Sequence, residues 1–349
     1  MSLGCAQLSL LFAAFCLPLM FLPAQRALAQ IANATGTKTQ APHALPASIQ
    51  IPNGPVSTPQ LLALHSQIKA LAQQLSLQEV AGYQQRPGNA GSSMGTGAVR
   101  LFHRSEQLSW SGDIRSRFDG QLSGIQLDRY LYSGPTCRGT QQLGLLAGSS
   151  IARGDVTAAF PEGEAFAAGR NTLTSYYGGL YFSDYRQDQS YIDVMAKVSY
   201  LTADTESIQG LSARIRGPQV TLSAERSIAI SVREAINLEP QLQLIANHTN
   251  LHGLLTKTDY LYTDMTPELA LRSGLRAYPL HNSREIYAFA NYWVNLGGKD
   301  GLLMHNGKHL NIERGARWGE LGGGLTLLNT KRAAVFLSFS YRQSLDGPR

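Results

Sequence analysis

Hydrophobic and polar residues alternate with a period of two from residue 97 to the end of the chain. In the last such stretch, Val335, Leu337 and Phe339 alternate with Ser338 and Ser340. Successive side chains of a β-strand point to opposite faces, so the pattern predicts strands with one apolar and one polar face. The predicted strands span 97–107, 117–132, 140–154, 172–185, 189–202, 213–227, 233–249, 266–280, 283–297, 315–329 and 332–344.

Strand length separates a membrane barrel from a soluble β-sandwich, whose strands also alternate. The predicted strands run about 10–15 residues, which exceeds the usual ~5–6 and suits the ~9–11 of a tilted transmembrane strand. Short connections alternate with longer ones along the chain; the short ones are 186–188, 281–282 and 330–331. The expected long loops are 108–116, 155–171, 203–212, 250–265 and 298–314. This alternation is typical of periplasmic turns and surface loops, so an all-β, transmembrane, antiparallel up-and-down β-barrel is predicted.

The N-terminus carries an export signal. Residues 8–22 form an apolar run that is too short for a spanning helix. Ala27 and Ala29 then provide the small residues at the −3 and −1 positions of a cleavage site. We expect a signal peptide over 1–29. Because the first basic residue is Arg26, an uncleaved anchor stays an alternative.

One short helix is predicted over 58–81, after a linker rich in Ala, Thr and Pro. Thr58 can cap the helix and Pro59 fits its first turn. An a/d stripe follows, made of Leu61, Leu64, Ile68, Leu71 and Leu75. The helix can occupy the lumen of the barrel, but its stripe suits a polar lumen badly. The alternative is that the stripe meets a periplasmic chaperone or a partner chain. The predicted organisation is a signal peptide (1–29), a linker with a vestigial passenger (30–96) and a barrel (97–349).

Composition excludes several classes of protein. Charged residues make up 15% of the chain, against about 25% in ordinary soluble domains. Three cysteines exclude a disulfide scaffold, and Cys137 alone follows the signal peptide. The net charge is +6, but the basic residues are dispersed, which argues against nucleic-acid binding.

Seven stretches resemble the C-terminal β-domain of pertactin-like autotransporters, in the order and spacing of that family. They are GIQLDRYL from Gly124, SYYGGLYFSDY from Ser175, YIDVMAKVSYL from Tyr191, LEPQLQLIANH from Leu238, LRSGLRAY from Leu271, WGELGGGL from Trp318 and SYRQSLDG from Ser340. The resemblance implies a twelve-stranded barrel in the Gram-negative outer membrane, preceded by a helix that threads the pore. It also implies export of an N-terminal passenger by type V secretion.

The sequence departs from the family pattern at both ends. Only residues 30–96 lie between the signal peptide and the first strand. In the family, a loop like Ser344–Gly347 leads into one more strand, whereas here the sequence given stops at Arg349. With eleven strands instead of twelve, we expect the first and last to leave open edges and the barrel to close imperfectly. The expected causes are a truncated gene model or a poorly inserting relic.

Polar residues on the inner faces are candidates for lining the lumen: Asp193, Lys197, Glu225, Glu239, Arg272, Arg276, Glu320 and Arg342. Acidic members of this set could imitate a catalytic pair, but the basic ones can neutralise them, so we predict no catalytic residues and no enzyme. His305 and His309, like His248 and His252, are four apart, but they fall in or beside predicted loops, where that spacing does not make a metal site. We expect no metal and no cofactor.

The sequence therefore predicts an outer-membrane translocator and anchor with a very short passenger. One alternative is an outer-membrane adhesin or binding protein that acts through its surface loops, and another is a truncated, non-functional fragment. The expected partners are outer-membrane lipid, the barrel-assembly machinery and periplasmic chaperones, with no nucleic acid. The protein is expected to be a monomer.

Overall fold

The computed structural model describes most of the chain from Thr58 onward. The described residues are 58–84, 97–112, 114–160, 163–232, 236–254, 260–263, 267–279, 286–296, 300–304, 309–314, 317–330 and 333–346. The predicted signal peptide, the first linker and the glycine-rich linker before residue 97 lie outside them.

In the described part of the chain, two helical segments precede sixteen strands. The helices are α1 (Thr58–Ser66) and α2 (Ile68–Gln84). The strands are β1 (Gly97–Gly112), β2 (Arg115–Thr136), β3 (Gly139–Ala159), β4 (Phe166–Arg186), β5 (Tyr191–Ser207), β6 (Ser212–Ser227), β7 (Ile230–Val232), β8 (Ile236–Thr249), β9 (His252–Leu254), β10 (Tyr260–Thr263), β11 (Glu268–Pro279), β12 (Ile286–Asn295), β13 (Asp300–Met304), β14 (His309–Arg314), β15 (Arg317–Asn329) and β16 (Ala333–Ser344).

Eleven long strands form a closed barrel, which confirms the predicted fold and strand count. Their order around the wall is β1, β2, β3, β4, β5, β6, β8, β11, β12, β15 and β16. Neighbours pair antiparallel, except that β16 pairs parallel with β1 from Gly97–Ala333 to Gln107–Gln343. We call this parallel pair the seam.

The expectation of open edges and imperfect closure is wrong. In a barrel with an odd number of strands, the last strand runs in the same direction as the first. A parallel ladder still pairs the backbone groups of both strands, although it is slightly less stable per residue than an antiparallel one. Every barrel strand therefore has two neighbours, and the sheet is mixed instead of purely antiparallel.

The two ends of the barrel differ. At the end where β1 begins, which we call the turn end, short connections join β2 to β3 and β4 to β5. At the opposite loop end, three predicted loops (108–116, 155–171 and 203–212) are mostly strand. The prediction ended those strands where their outward residues become polar, but the backbone pairing continues beyond that point.

Four short strands extend the wall at the loop end. The predicted loops 250–265 and 298–314 contain β9, β10, β13 and β14, which pair in that order. β9 pairs with β6, and β14 pairs with β1 at Trp110–Arg314. The four strands, here called the rim strands, therefore bridge from β6 to β1 above the shorter strands of the barrel.

The predicted helix lies inside the barrel and is divided at Gln67. Ser66 Oγ donates a hydrogen bond to Ala63 O over 2.7 Å, and helical bonding resumes from Leu71 N to Gln67 O at 2.8 Å. Nearly every described side chain of α1 and α2 is buried. Neither helix in the described part of the chain is long and apolar enough to cross a bilayer.

Candidate functional site

The lumen near the loop end contains an apolar cluster, and this cluster receives the leucine stripe of the helix. Leu61, Leu64 and Ile68 are buried in one cluster with strand residues that include Leu173 and Leu201. Full burial of such a side chain stabilises by about 1.5–3 kcal/mol. The expectation that the stripe suits the lumen badly is wrong, because inward-facing apolar residues of the wall pack against it.

Deeper in the lumen, polar contacts hold one side of α2 to the wall. Glu79 forms a buried ion pair with Lys197 of β5 and accepts a hydrogen bond from Ser150 Oγ of β3 at 2.5 Å. Lys197 Nζ also donates to Ser76 Oγ over 3.2 Å. Ser76 donates in turn to Asn247 Oδ1 of β8 at 2.9 Å. Thr221 Oγ1 of β6 lies 2.6 Å from Ser76 Oγ as well, so one turn of α2 is bonded to four strands.

Two arginines of the seam strands hold α2 from another side. Arg104 of β1 donates to Gln78 Oε1 at 2.9 Å and to the carbonyl oxygen of Gln74 at 3.1 Å. Arg342 of β16 donates to Gln74 Oε1 at 2.5 Å. Both guanidinium groups are fully buried. The helix therefore contacts the two strands that close the barrel.

The eight predicted lumen residues are all buried on the inner face. Three ion pairs join adjacent or near-adjacent strands: Glu225–Arg272 at 2.6 Å, Glu239–Arg276 at 2.6 Å and Glu320–Arg342 at 3.1 Å. Lys197 pairs with Glu79, and Asp193 lies opposite Glu225 in the β5–β6 ladder. In the folded protein, Glu225, Glu239 and Glu320 therefore each contact an arginine of the wall.

Sequence reasoning missed Glu79, which forms a buried ion pair between the helix and Lys197 of the wall. A signal was available, because Glu79 is the first acidic residue of the whole chain. A lone carboxylate on a helix that threads a pore requires a basic partner in the wall. Arg104 and its ion-pair partner Glu106, 2.7 Å apart, were also overlooked.

Histidines do not gather into a metal site in the described part of the chain. No three His, Cys, Asp or Glu side chains of those residues are placed to share a metal ion. His248 lies on the outward face of β8 and His252 is exposed on β9. His305 lies outside the described residues.

The chain is similar to known translocator barrels. A search of curated protein sequences finds no match. Among solved structures, the transport unit of the autotransporter AIDA-I from Escherichia coli matches with a TM-score of 0.53 and 15% identity over 78% of this chain and 92% of that one. The translocator domain of the autotransporter NalP from Neisseria meningitidis matches with a TM-score of 0.46 and 12% identity, over 81% of this chain and 93% of that one. The β-domain of the Bordetella autotransporter BrkA matches with a TM-score of 0.45 and 18% identity, over 72% of this chain and 92% of that one.

The family model described as "Autotransporter beta-domain" matches residues 99–340, which cover every strand of the barrel in part or in full. The resemblance inferred from the sequence is thereby confirmed, and the chain belongs to the autotransporter β-domain family.

Proposed function

We propose that this barrel anchors and displays the short segment before α1 at the cell surface, with α1 and α2 as its tether. Members of the family reside in the Gram-negative outer membrane and act as translocators, and this chain is a member. The family fold is one of transport and anchoring. The identity of the displayed segment is the proposed part.

The direction of the helix carries the proposal. The carbonyl oxygen of Leu64 in α1 accepts a hydrogen bond of 2.9 Å from Asn171 Nδ2, near the loop end of β4. Lys69 Nζ lies 3.7 Å from Oε1 of Glu268, the first residue of β11, which begins at the same end. Glu79 contacts residues midway along the wall, and β1 then begins at the turn end. A helix in this direction supports exit of the preceding residues at the loop end.

The physical basis is a sealed, pre-formed anchor. Inside hydrocarbon an unpaired backbone group costs several kcal/mol, so a closed ladder is required. The filled lumen then holds the helix through burial of its leucines and through the Glu79–Lys197 pair. We propose no catalytic role for the wall carboxylates, because Glu225, Glu239 and Glu320 each contact an arginine. We further propose delivery by periplasmic chaperones and the barrel-assembly machinery, as a monomer.

Surface exposure of the segment is the test. An epitope inserted between Gln30 and Ile31 should bind antibody on intact cells and should be removed by external protease. The matched control is the same epitope between Asp188 and Gln189, in the β4–β5 turn, which should be detected only after permeabilisation. A heat-modifiable barrel in the outer membrane with an inaccessible N-terminal epitope would refute the proposal.

The rim strands favour a second candidate function, which is adhesion through the loop end. They build an ordered sheet above the barrel, where the sequence predicted irregular loops. Removal of 252–263 should then abolish binding to a host surface, while removal of 31–57 should not affect it. The opposite outcome favours the displayed segment as the functional part.

A further inference from the structure

The outward face of β3 to β6 changes from apolar to charged towards the loop end. On β3 the outward residues Leu143, Leu145 and Ile151 are followed by Arg153 and Asp155. Eight residues separate Leu143 from Ile151, which is about 26 Å along the strand and about 20 Å along the barrel axis at a tilt of 35–45°. Arg153 lies about 7 Å further along the strand. This depth corresponds to the boundary between hydrocarbon and headgroups.

Four arginines of three strands gather at this depth. Arg170 of β4, Arg214 and Arg216 of β6, and Arg153 of β3 are all exposed. We call these four residues the arginine patch. Three of them, with Thr172, Asp204 and Glu206, line a depression of about 440 Å³ on the barrel exterior. The depression is large enough for a charged headgroup.

Two members of the patch already have acidic partners, and two do not. Arg170 Nε lies 2.8 Å from Asp155 Oδ1, and Arg214 Nε lies 2.5 Å from Asp204 Oδ1. Among the described residues, the structure records no ion pair for Arg153 or Arg216. Both keep an exposed guanidinium group at the edge of the apolar band.

The patch occupies one side of the barrel only. On β8, β11 and β12, the outward residues at the same end include His248, Leu269 and Val294. Arg317 of β15 is paired with Asp346 at 2.7 Å. At this depth the exposed arginines of the described strands lie on β3, β4 and β6, and Arg117 of the neighbouring β2, 3.6 Å from Asp119, extends the same side of the barrel.

We propose that the arginine patch binds the phosphorylated glycolipid headgroup of the outer leaflet. Guanidinium groups match phosphate oxygens with paired hydrogen bonds, and arginine is weakly hydrated compared with lysine. On this proposal, Arg153 and Arg216 lie level with the headgroup phosphates, just beyond the apolar band. Asp155 and Asp204 hold Arg170 and Arg214 in place beside the depression. This assignment rests on the orientation given under the proposed function.

The test compares two double variants with equal loss of charge. R153Q/R216Q removes the unpaired arginines of the patch. R129Q/R226Q removes two exposed, outward arginines near the turn end of β2 and β6. Each protein is refolded into detergent micelles, its heat-modifiable migration is checked, and its affinity for purified phosphorylated glycolipid is measured in mixed micelles. The same glycolipid without phosphates and inorganic phosphate alone serve as further probes.

We expect R153Q/R216Q to bind the phosphorylated glycolipid about 30-fold more weakly, which corresponds to about 2 kcal/mol for two arginines. The wild type and R129Q/R226Q should bind alike, and both should lose affinity for the dephosphorylated lipid. Equal loss in both double variants, or equal binding of the dephosphorylated lipid, would overturn the proposal. Full competition by millimolar inorganic phosphate would identify a free-anion site instead of a lipid site. The assay uses purified protein, so its outcome does not depend on the epitope test of display.

Discussion

Replacement of Glu79 by Gln should release the helix from the barrel lumen. The substitution keeps the shape of the side chain and removes the charge that faces Lys197 Nζ. Both side chains are at most 1% exposed, so solvent cannot take over the role of the lost partner. Removal of one member of a buried ion pair costs about 3–5 kcal/mol, because the remaining charge stays buried and uncompensated. At 1.4 kcal/mol per tenfold change, the population of undocked helix should rise by about 100- to 4,000-fold.

Hydrogen exchange of the α2 backbone amides measures this release. In the E79Q barrel, amides around Ser76 should exchange faster by the factor given above, while amides of β3 and β4 should keep their protection. The matched control is E225Q, which removes a buried carboxylate from the Arg272 pair in the wall; among the described residues, neither member of this pair has a hydrogen bond or ion pair to the helix. E225Q should weaken the wall and leave the exchange of α2 unchanged.

The double variant E79Q/K197M separates the charge from the loss of a contact. With Lys197 replaced by an apolar side chain of similar length, no buried charge is left over, and replacement of a buried pair by apolar residues is often neutral or stabilising. We therefore expect exchange in the double variant to fall back towards the wild-type rate. Equal exchange in E79Q and the wild type would refute the role of the pair, as would a double variant that is worse than E79Q.

Two further predictions test the barrel wall. In a C137S background, V99C and V335C should form a disulfide across the seam, because the two residues are paired in parallel register and face outward; failure to cross-link in a folded barrel would contradict closure by β1 and β16. V198R should lower the free energy of unfolding by about 2–4 kcal/mol, since Val198 faces outward and is level, through Gly178, with Ala147 in the middle of the apolar band. T202R, on the same strand beyond that band, should cost far less in the same urea titration.

The residue pattern was sufficient to predict the strands and their faces because both are local properties. Asp193 and Lys197 alternate with Val194 and Val198 along β5, and the same alternation gives the burial seen in the structure. The outward charges of Arg153 and Asp155 obscured the true length of β3. Hydrophobicity identifies the part of a strand that meets lipid, whereas the hydrogen-bonded ladder extends beyond it.

Closure and anchoring depend on contacts that no local pattern encodes. Glu79 and Lys197 are 118 positions apart, and the partners of the seam are separated by most of the barrel domain. The rule of even strand numbers predicted open edges, because it assumes antiparallel pairing throughout. The rule fails where a parallel ladder joins the first strand to the last.

The seam and the helix form a connected structure. Parallel pairing is the weaker kind of ladder, and Arg104 and Arg342 lie on its two strands. Both side chains reach α2, where Gln74 accepts hydrogen bonds from each of them. The helix therefore bridges the seam from inside while the ladder joins it in the wall. On the opposite side, Glu79 holds α2 to β3 and β5. The contacts that retain the tether thus also brace the weakest pairing of the barrel, so the helix stabilises the wall that encloses it.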